Sequence, residues 1–375
     1  MTPKLARFLA ETQPATPCLV VDLERMAANY AALAHALPLA RIYYAVKANP
    51  AAPVLDRLVS LGSAFDAAGI EEIEACLAAG ARPEAISFGN TIKKSSAIAR
   101  AHAAGVSLFA FDSDEELDKL AVHAPRARVY CRIRVENDGA DWPLSRKFGT
   151  TIEHAGRLMR RAAALGLDPY GLSFHVGSQQ TTTAAYDLAI ARVAMLFTDL
   201  TEAGVRLRMM NLGGGFPVRY REPVPEIEDF AAAIMGAMTR HFGNALPEMV
   251  VEPGRAIVGD AGVVCAEVVL VSRRGDDAVR WVYLDIGRFG GLAETEGESI
   301  RYAITTAHDG GAGGPVALAG PTCDGADIMY EKTPYRLPLA LTSGDRVNLL
   351  ATGAYVSTYA SQGFNGFAPL AEHYI

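Results

Sequence analysis

The stretch Ile42–Pro50, IYYAVKANP, is a β-branched and aromatic run that reaches a lysine, Lys47, and then at once Ala-Asn-Pro. Such residues fill buried strands and Asn-Pro opens a turn, so an amine stands where a strand gives way to a loop. The same unit recurs along the chain: a short strand-type run, a turn, then an Ala- and Leu-rich segment with apolar residues three and four apart. The runs are RIYYAVKA (41–48), SAFDAA (63–68), AISFGN (85–90), SLFAFD (107–112), RVYCRIRV (128–135), LSFHVGS (172–178), MMNLGGG (209–215) and MVVEPG (249–254), eight in all. Between them, segments such as IEEIEACLAAG (70–80) and DEELDKLAVHA (114–124) read as helices that Gly or Pro closes. Strands alternating with helices pair in parallel through right-handed crossovers. Eight such units predict a closed (β/α)8 TIM-like barrel, with an open doubly wound sheet as the alternative.

Past Gly262 the pattern changes. VVCAEVVLVSRR, VRWVYLDIG, PVALAGP and RVNLLATGAYVSTYA are strand-like, helical periodicity nearly vanishes, and Gly-rich turns such as HDGGAGGP (308–315) separate the runs. This predicts a C-terminal all-β domain. The expected division is a barrel over 22–261 and a β-domain over 1–21 and 262–375, with PCLVVD (17–22) adding a strand to the latter before the chain enters the barrel.

Composition narrows the function. Of 375 residues half are hydrophobic, enough for a large core, and the net charge of −7 is spread along the chain rather than gathered in blocks. Nucleic acid and acidic membranes are not expected partners. The five cysteines, Cys18, Cys76, Cys131, Cys265 and Cys323, are scattered without C-x-x-C spacing, which favours a reducing compartment over a disulfide framework or zinc site. The segment MTPKLARFLAETQPATP has no apolar stretch of secretory type, and no run reaches membrane-spanning length, so the expected location is the cytoplasm.

Lys47 lies at the C-terminal end of the first barrel strand, the face on which barrel active sites are built. Asp66, Asn90, Asp112, Arg132, Arg134, His175, Ser178, Gly213–Gly215 and Glu252 fall at or near the ends of the other runs. Each alone is as readily a solvated strand end or a helix cap, but together they point to one converging site. A desolvated lysine can condense with a carbonyl compound. NLGGGF (211–216) offers backbone N–H groups without side-chain obstruction, which suits a phosphate, although a glycine run also makes a tight turn. Glu252 can face a ring nitrogen and keep it protonated, and Arg255 can pair with phosphate. These are the requirements of pyridoxal 5'-phosphate.

From PCLVVD to GFNGF the chain resembles the fold type III, barrel-type pyridoxal-phosphate basic amino acid decarboxylases, most nearly the bacterial-type ornithine decarboxylases. The motifs that carry the resemblance are YYAVKAN, FDAAGIEEIE, FAFDSDEEL, LSRKFG, SFHVGSQ, LNLGGGFP, EPGR, GPTCDGAD and GAYVSTYASQGFNGF, in order. It implies an alanine-racemase-like fold in which Lys47 carries the cofactor, His175 stacks on its ring and Glu252 meets the pyridine nitrogen. Ser178, Gly213, Gly214, Gly215, Arg255 and Tyr355 would hold the phosphate, and Asp66, Glu72 and Arg132 would form a polar network near the lysine. The resemblance nominates Cys323 as proton donor to Cα, reaching in from the other subunit of a homodimer, and Asp324 as the partner of the substrate's distal ammonium. Glu298 stands where eukaryotic relatives carry a second aspartate, with Glu294 or Glu296 as alternatives, and Phe364 matches an aromatic near the substrate. Lys147 and Asp327 match positions that pair across the dimer interface.

The reaction so implied is decarboxylation of ornithine to putrescine and carbon dioxide, a step toward polyamines. One methylene in a partly apolar pocket is worth only ~1–3 kcal/mol, so lysine, or lysine and ornithine together, is the alternative substrate. CDGAD favours a substrate ending in an amine over diaminopimelate, whose decarboxylases share HVGSQ and EPGR but usually differ at CDG. A non-catalytic homologue acting by partner binding is the remote alternative, opposed by retention of Lys47, Asp66, Arg132, Glu252, Cys323 and Asp324. The short segment after Phe367 gives no expectation of antizyme-type control. HDGGAGGP opens no helix and reads as a connector. His102, His123, His241 and His308 have no ligand partners at metal spacing, so no metal site is expected, and Met209 and Met210 read as core.

Overall fold

The computed structural model describes residues 1–135, 138–142, 147–275 and 279–375, and Glu136, Asn137 and residues 143–146 of the loop ENDGADWPLSRKFG lie outside them. The chain divides into two compact units, one of residues 27–217 and 224–254, the other of residues 1–26, 218–223 and 255–375.

The first unit is a closed barrel of eight parallel strands: β1 (Ala40–Ala45), β2 (Ala64–Ala67), β3 (Ile86–Phe88), β4 (Leu108–Phe111), β5 (Arg128–Arg132), β6 (Asp168–Ser173), β7 (Met209–Asn211) and β8 (Glu248–Val251). Each pairs with the next in sequence, and β8 closes on β1 with Val251 opposite Ile42. The open-sheet alternative is thereby excluded. Tyr43, Ala64, Leu108, Tyr130, Met209 and Val250 belong to one buried cluster, so apolar side chains pack together across the strands as a filled barrel requires. The helices between strands start where sequence chemistry puts them. Ser113 caps Asp114–His123, accepting from the Glu116 N–H, and three acids in the first turn complement the helix dipole.

The regular strands are shorter than the apolar runs. β1 ends at Ala45, and Lys47 sits in a one-turn 3-10 helix, Val46–Ala48. There the Tyr44 hydroxyl donates to the Asn49 carbonyl at 3.0 Å and the Asn49 side chain accepts from Ala51 N–H at 3.1 Å, so the Asn-Pro pair ends the strand by its own hydrogen bonds. β6 ends at Ser173, and Ser178 instead opens a short strand, Ser178–Gln180, antiparallel to Ala140–Trp142.

The second unit is an eight-stranded mixed sheet. Its path runs Ile304–Thr306, Arg346–Leu350, Gly262–Ser272, Arg280–Leu284, Gly313–Ala319, Ile328–Pro338. Cys18–Val21 joins as expected, antiparallel to Gly262–Ser272 with Cys18 opposite Cys265. Two elements were not anticipated: a helix, Pro3–Thr12, capped by Thr2 with Pro3 at its first position, and a strand, Ala371–Tyr374, parallel to Cys18–Val21. Both cover apolar surface that PCLVVD would otherwise expose, since Leu5, Cys18, Val20, Val263 and Cys265 form one buried cluster with Phe8 and Ile375 against it. All five cysteines are free, four of them buried and Cys323 exposed. Among the described residues no helix is long and apolar enough to cross a membrane.

Candidate active site

In the barrel unit the polar residues at the strand ends converge. Lys47 Nζ lies 3.9 Å from Asp66 Oδ2, the lysine side chain half-exposed and the aspartate buried. Asp66 reaches this place because residue 89 is glycine; a Cβ there would fall 1.8 Å from Asp66 Oδ1. That Oδ1 has no hydrogen-bond partner. Burial, with the Glu252 carboxylate nearby, raises the Asp66 pKa well above the usual carboxylate value, while Lys47 pulls it down. Glu72, in the first turn of Ile70–Ala78, accepts from the Ala68 N–H at 2.6 Å. The Arg132 guanidinium lies 5.6 Å from the Phe148 ring centroid.

His175 is held as a neutral imidazole. Its Nδ1 accepts from the Gly177 N–H at 3.0 Å and so carries no proton. Burial, then the positive charges of Arg132 and Lys47, push its pKa well below the usual histidine value. A neutral ring leaves an uncharged face for stacking.

The glycine turn is shaped by backbone. A Cβ on Gly213 would lie 2.3 Å from the Phe174 carbonyl, on Gly214 2.5 Å from the Glu252 carbonyl and on Gly215 2.5 Å from the Gly177 carbonyl, and Gly213 and Gly215 have φ of +69° and +106°. No other residue fits. The carbonyls of Gly213, Gly214 and Gly215 themselves accept from the Glu252 N–H at 2.7 Å, the Tyr186 hydroxyl at 2.7 Å and the Gln180 N–H at 2.8 Å. The Gly213 N–H donates to Asn211 Oδ1 at 2.9 Å, while those of Gly214 and Gly215 meet no acceptor among the described residues. Two adjacent unengaged N–H groups in an αL-containing turn are an anion cradle. Asn211 also donates through Nδ2 to Glu252 Oε1. Sequence reasoning missed Asn211, Tyr186 and Gly89. For Asn211 a signal existed, since an Asn two residues before a turn glycine commonly takes that glycine's N–H.

In the sheet unit Arg255 opens the one-turn helix Arg255–Val258 and is 3% exposed. Its Nη1 donates to Glu294 Oε2 at 2.8 Å and Nη2 to Glu294 Oε1, a bidentate buried pair, and Nη1 also meets the Tyr220 hydroxyl. The guanidinium lies 4.8 Å from the centroid of the Tyr355 ring, and Tyr355 has φ of +59°. Glu298 takes the N–H groups of Glu331 at 2.8 Å, Lys332 at 2.6 Å and Thr333 at 3.0 Å on its carboxylate. Partial burial opposes its ionisation, but these donors outweigh that and hold its pKa below the usual value. The same bonds hold Glu298 at φ of +61°, a conformation that costs an L-residue roughly 1–2 kcal/mol. Glu296 is exposed, 3.4 Å from Arg288.

Cys323 and Asp324 are exposed on a loop whose geometry Asp327 fixes. The Cys323 N–H donates to Asn365 Oδ1 at 3.0 Å, and Asp324 Oδ1 accepts from Ala326 N–H at 2.8 Å. Asp327 is 2% exposed and accepts from Arg288 N–H at 2.8 Å, from Thr322 N–H at 3.1 Å and from the Thr322 hydroxyl at 2.8 Å. Its carboxylate therefore organises its own loop. Lys147 is exposed, 4.9 Å over the Phe148 ring, and Phe364 packs at 4.8 Å on Phe289.

Asp66 supplies a test that needs no cofactor. An acid whose pKa is raised on folding favours the native state fully below its ordinary value of 3.8 and costs stability as pH rises through the folded value. Asp66→Asn should therefore melt higher than the parent apoprotein, by a margin that is small near that ordinary value and grows toward neutrality. Melting curves across pH check this; a margin independent of pH would contradict the buried-charge account.

An amine next to a buried carboxylate, a neutral imidazole, an anion cradle and a carboxylate oriented by an amide suit pyridoxal phosphate. Residues 23–259 match the family model described as the pyridoxal binding domain of pyridoxal-dependent decarboxylases. The chain is 34% identical over 374 residues to the lysine/ornithine decarboxylase of Selenomonas ruminantium, covering 98% of this chain and 91% of that protein. It is 30% identical over 393 residues to antizyme inhibitor 2 of Xenopus laevis, covering 98% and 82%. Among solved structures, the lysine/ornithine decarboxylase of Vibrio vulnificus complexed with cadaverine superposes with a TM-score of 0.89 at 30% identity, covering 100% of this chain and 99% of that one. The chain belongs to the fold type III pyridoxal-phosphate-dependent basic amino acid decarboxylases, and pyridoxal phosphate is its cofactor.

Proposed function

We propose that the protein decarboxylates L-ornithine to putrescine and carbon dioxide. The observation that supports it best is the half-exposed Lys47 amine held 3.9 Å from buried Asp66. Lys47 would hold the cofactor through its amine. Asp66, its pKa raised, is suited to hold the proton that must pass to and from the lysine nitrogen. Glu252 would face the ring nitrogen, His175 would offer an uncharged ring face, and Gly214 and Gly215 would give their N–H groups to the phosphate, with Arg255, Ser178 and Tyr355 as the further phosphate residues. Bound there, pyridoxal phosphate supplies an electron-accepting ring for the pair left at Cα when the carboxylate departs. Cα then needs a proton, which the exposed thiol of Cys323 can donate, while Asp324 takes the substrate's distal ammonium.

Both of those residues act, in this reading, in the partner of a homodimer. An apolar cavity of about 360 Å³ beside them, lined by Ile286, Phe289, Pro321, Phe364 and Phe367, supports such an interface, as does the exposure of Phe367. Free cysteines support the cytoplasm as location. A second reading, lysine or dual lysine/ornithine decarboxylation, is favoured by the names of the Selenomonas and Vibrio proteins. The likeness to an antizyme inhibitor leaves a non-catalytic role as the remote alternative, opposed by the intact lysine, carboxylate and thiol set.

Carbon dioxide release with added pyridoxal phosphate, run side by side on ornithine, lysine, arginine and diaminopimelate, tests the substrate. Ornithine preference upholds the proposal, equal or greater use of lysine replaces it by the second reading, and cofactor binding without turnover overturns both. Mixing Lys47→Ala with Cys323→Ala protein tests the shared site: turnover should reappear only in the mixture.

A further inference from the structure

Asn211 is 2% exposed and both ends of its amide are engaged. Gly213 N–H is a donor, so the oxygen Oδ1 must face it, at 2.9 Å, and the Nδ2 donor is thereby turned to Glu252 Oε1. A second, parallel link joins the same two residues through the main chain, Glu252 N–H to the Gly213 carbonyl at 2.7 Å, and a Cβ on Gly214 would collide with the Glu252 carbonyl at 2.5 Å. The carboxylate assigned to the cofactor's ring nitrogen and the turn assigned to its phosphate are thus fastened together by one buried side chain.

The amide does something different at each end. Toward Glu252 it donates to a carboxylate oxygen and so fixes the orientation of the carboxylate assigned to the ring nitrogen. Toward the turn it consumes the Gly213 N–H, fixing the peptide planes that leave Gly214 and Gly215 N–H unengaged. Without this partner the buried Gly213 N–H would lose its acceptor and the partly buried Glu252 carboxylate a donor, the first at the greater cost.

We propose that Asn211 is a positioning residue that couples the two ends of the cofactor, holding the Glu252 anion and the phosphate turn in one geometry. The inference rests on the assignment of Glu252 to the ring nitrogen and of Gly214–Gly215 to the phosphate. Its test is equilibrium binding to the apoprotein of three probes: pyridoxal phosphate, pyridoxal, which lacks the phosphate, and a 1-deaza analogue of pyridoxal phosphate, which lacks the ring nitrogen. In Asn211→Ala the affinity for pyridoxal phosphate should fall roughly ten- to a hundredfold and its preference over both other probes should shrink. A merely structural role would weaken all three probes alike and overturns the proposal.

Asn211→Asp serves where Asn211→Ala does not fold. It keeps an oxygen for Gly213 N–H but sets two carboxyl groups in hydrogen-bond contact, which must then share a proton. The preference for a ring nitrogen should drop while the preference for a phosphate is retained; an unchanged ring-nitrogen preference overturns the proposal. Glu252→Gln separates the inference from its premise. If that variant keeps the parent's ring-nitrogen preference, the assignment of Glu252 is wrong; if it loses it and both Asn211 variants do not, the coupling by Asn211 is wrong.

Discussion

Lys47→Ala should fold as the parent does and release no detectable carbon dioxide from any basic amino acid. The side chain is half-exposed and follows β1 in a 3-10 turn, so its truncation opens no core cavity, and stability should change by within about 1 kcal/mol. Lys93, in the loop after β3, is no substitute, being buried and bound to the carbonyls of Asn90 and Ala110 and to Glu116 at 2.8 Å. Losing Lys47 also removes the positive charge that draws the Asp66 pKa down, so Asp66 holds its proton to still higher pH. The expected set of results is therefore a parent-like melting curve, loss of the visible absorbance of lysine-bound cofactor, and loss of turnover. Retained turnover would remove Lys47 from the mechanism, and a collapsed melting curve would show that its role is structural.

The barrel was legible because each of its strands carries its own punctuation. Asn-Pro after Lys47, the glycine turn after Asn211 and Pro-Gly after Glu252 are local signals, and local signals survive in a linear reading. The lysine, the glycines and Glu252 stood out for the same reason. What could not be read depends on partners distant in sequence. Nothing in RYREP marks Tyr220 as a neighbour of Arg255, and nothing in LAETEGESIRY separates Glu294, bound to Arg255, from Glu298, bound to the backbone of 331–333. Asp327 reads as a surface charge because one of its donors, the Arg288 N–H, comes from another part of the chain. The strand Ala371–Tyr374 was missed because AEHY shows no alternation; its pairing with Cys18–Val21 forms it.

Of the three acids in that segment, Glu294 should be the costly one to remove. Arg255 and Glu294 are 3% and 5% exposed, and two parallel N–H bonds join them. A buried pair contributes little beyond an apolar pair of similar volume, because desolvation offsets most of its attraction, but removing one partner leaves a buried charge uncompensated at about 3–5 kcal/mol. Glu294→Met should therefore lower stability by that order, and Arg255→Met by a similar amount for the opposite reason. Combining Arg255→Met with Glu294→Met should cost less than either single truncation, since no buried charge is then left alone. Glu296→Ala, at an exposed side chain 3.4 Å from Arg288, should fall within about 1 kcal/mol of the parent. Denaturant unfolding of the apoprotein gives all four values without any assumption about substrate. Additive losses in the double variant would mean that the pair is not coupled. The expected non-additivity would show that the guanidinium assigned to the cofactor's phosphate is coupled to Glu294 before any ligand arrives.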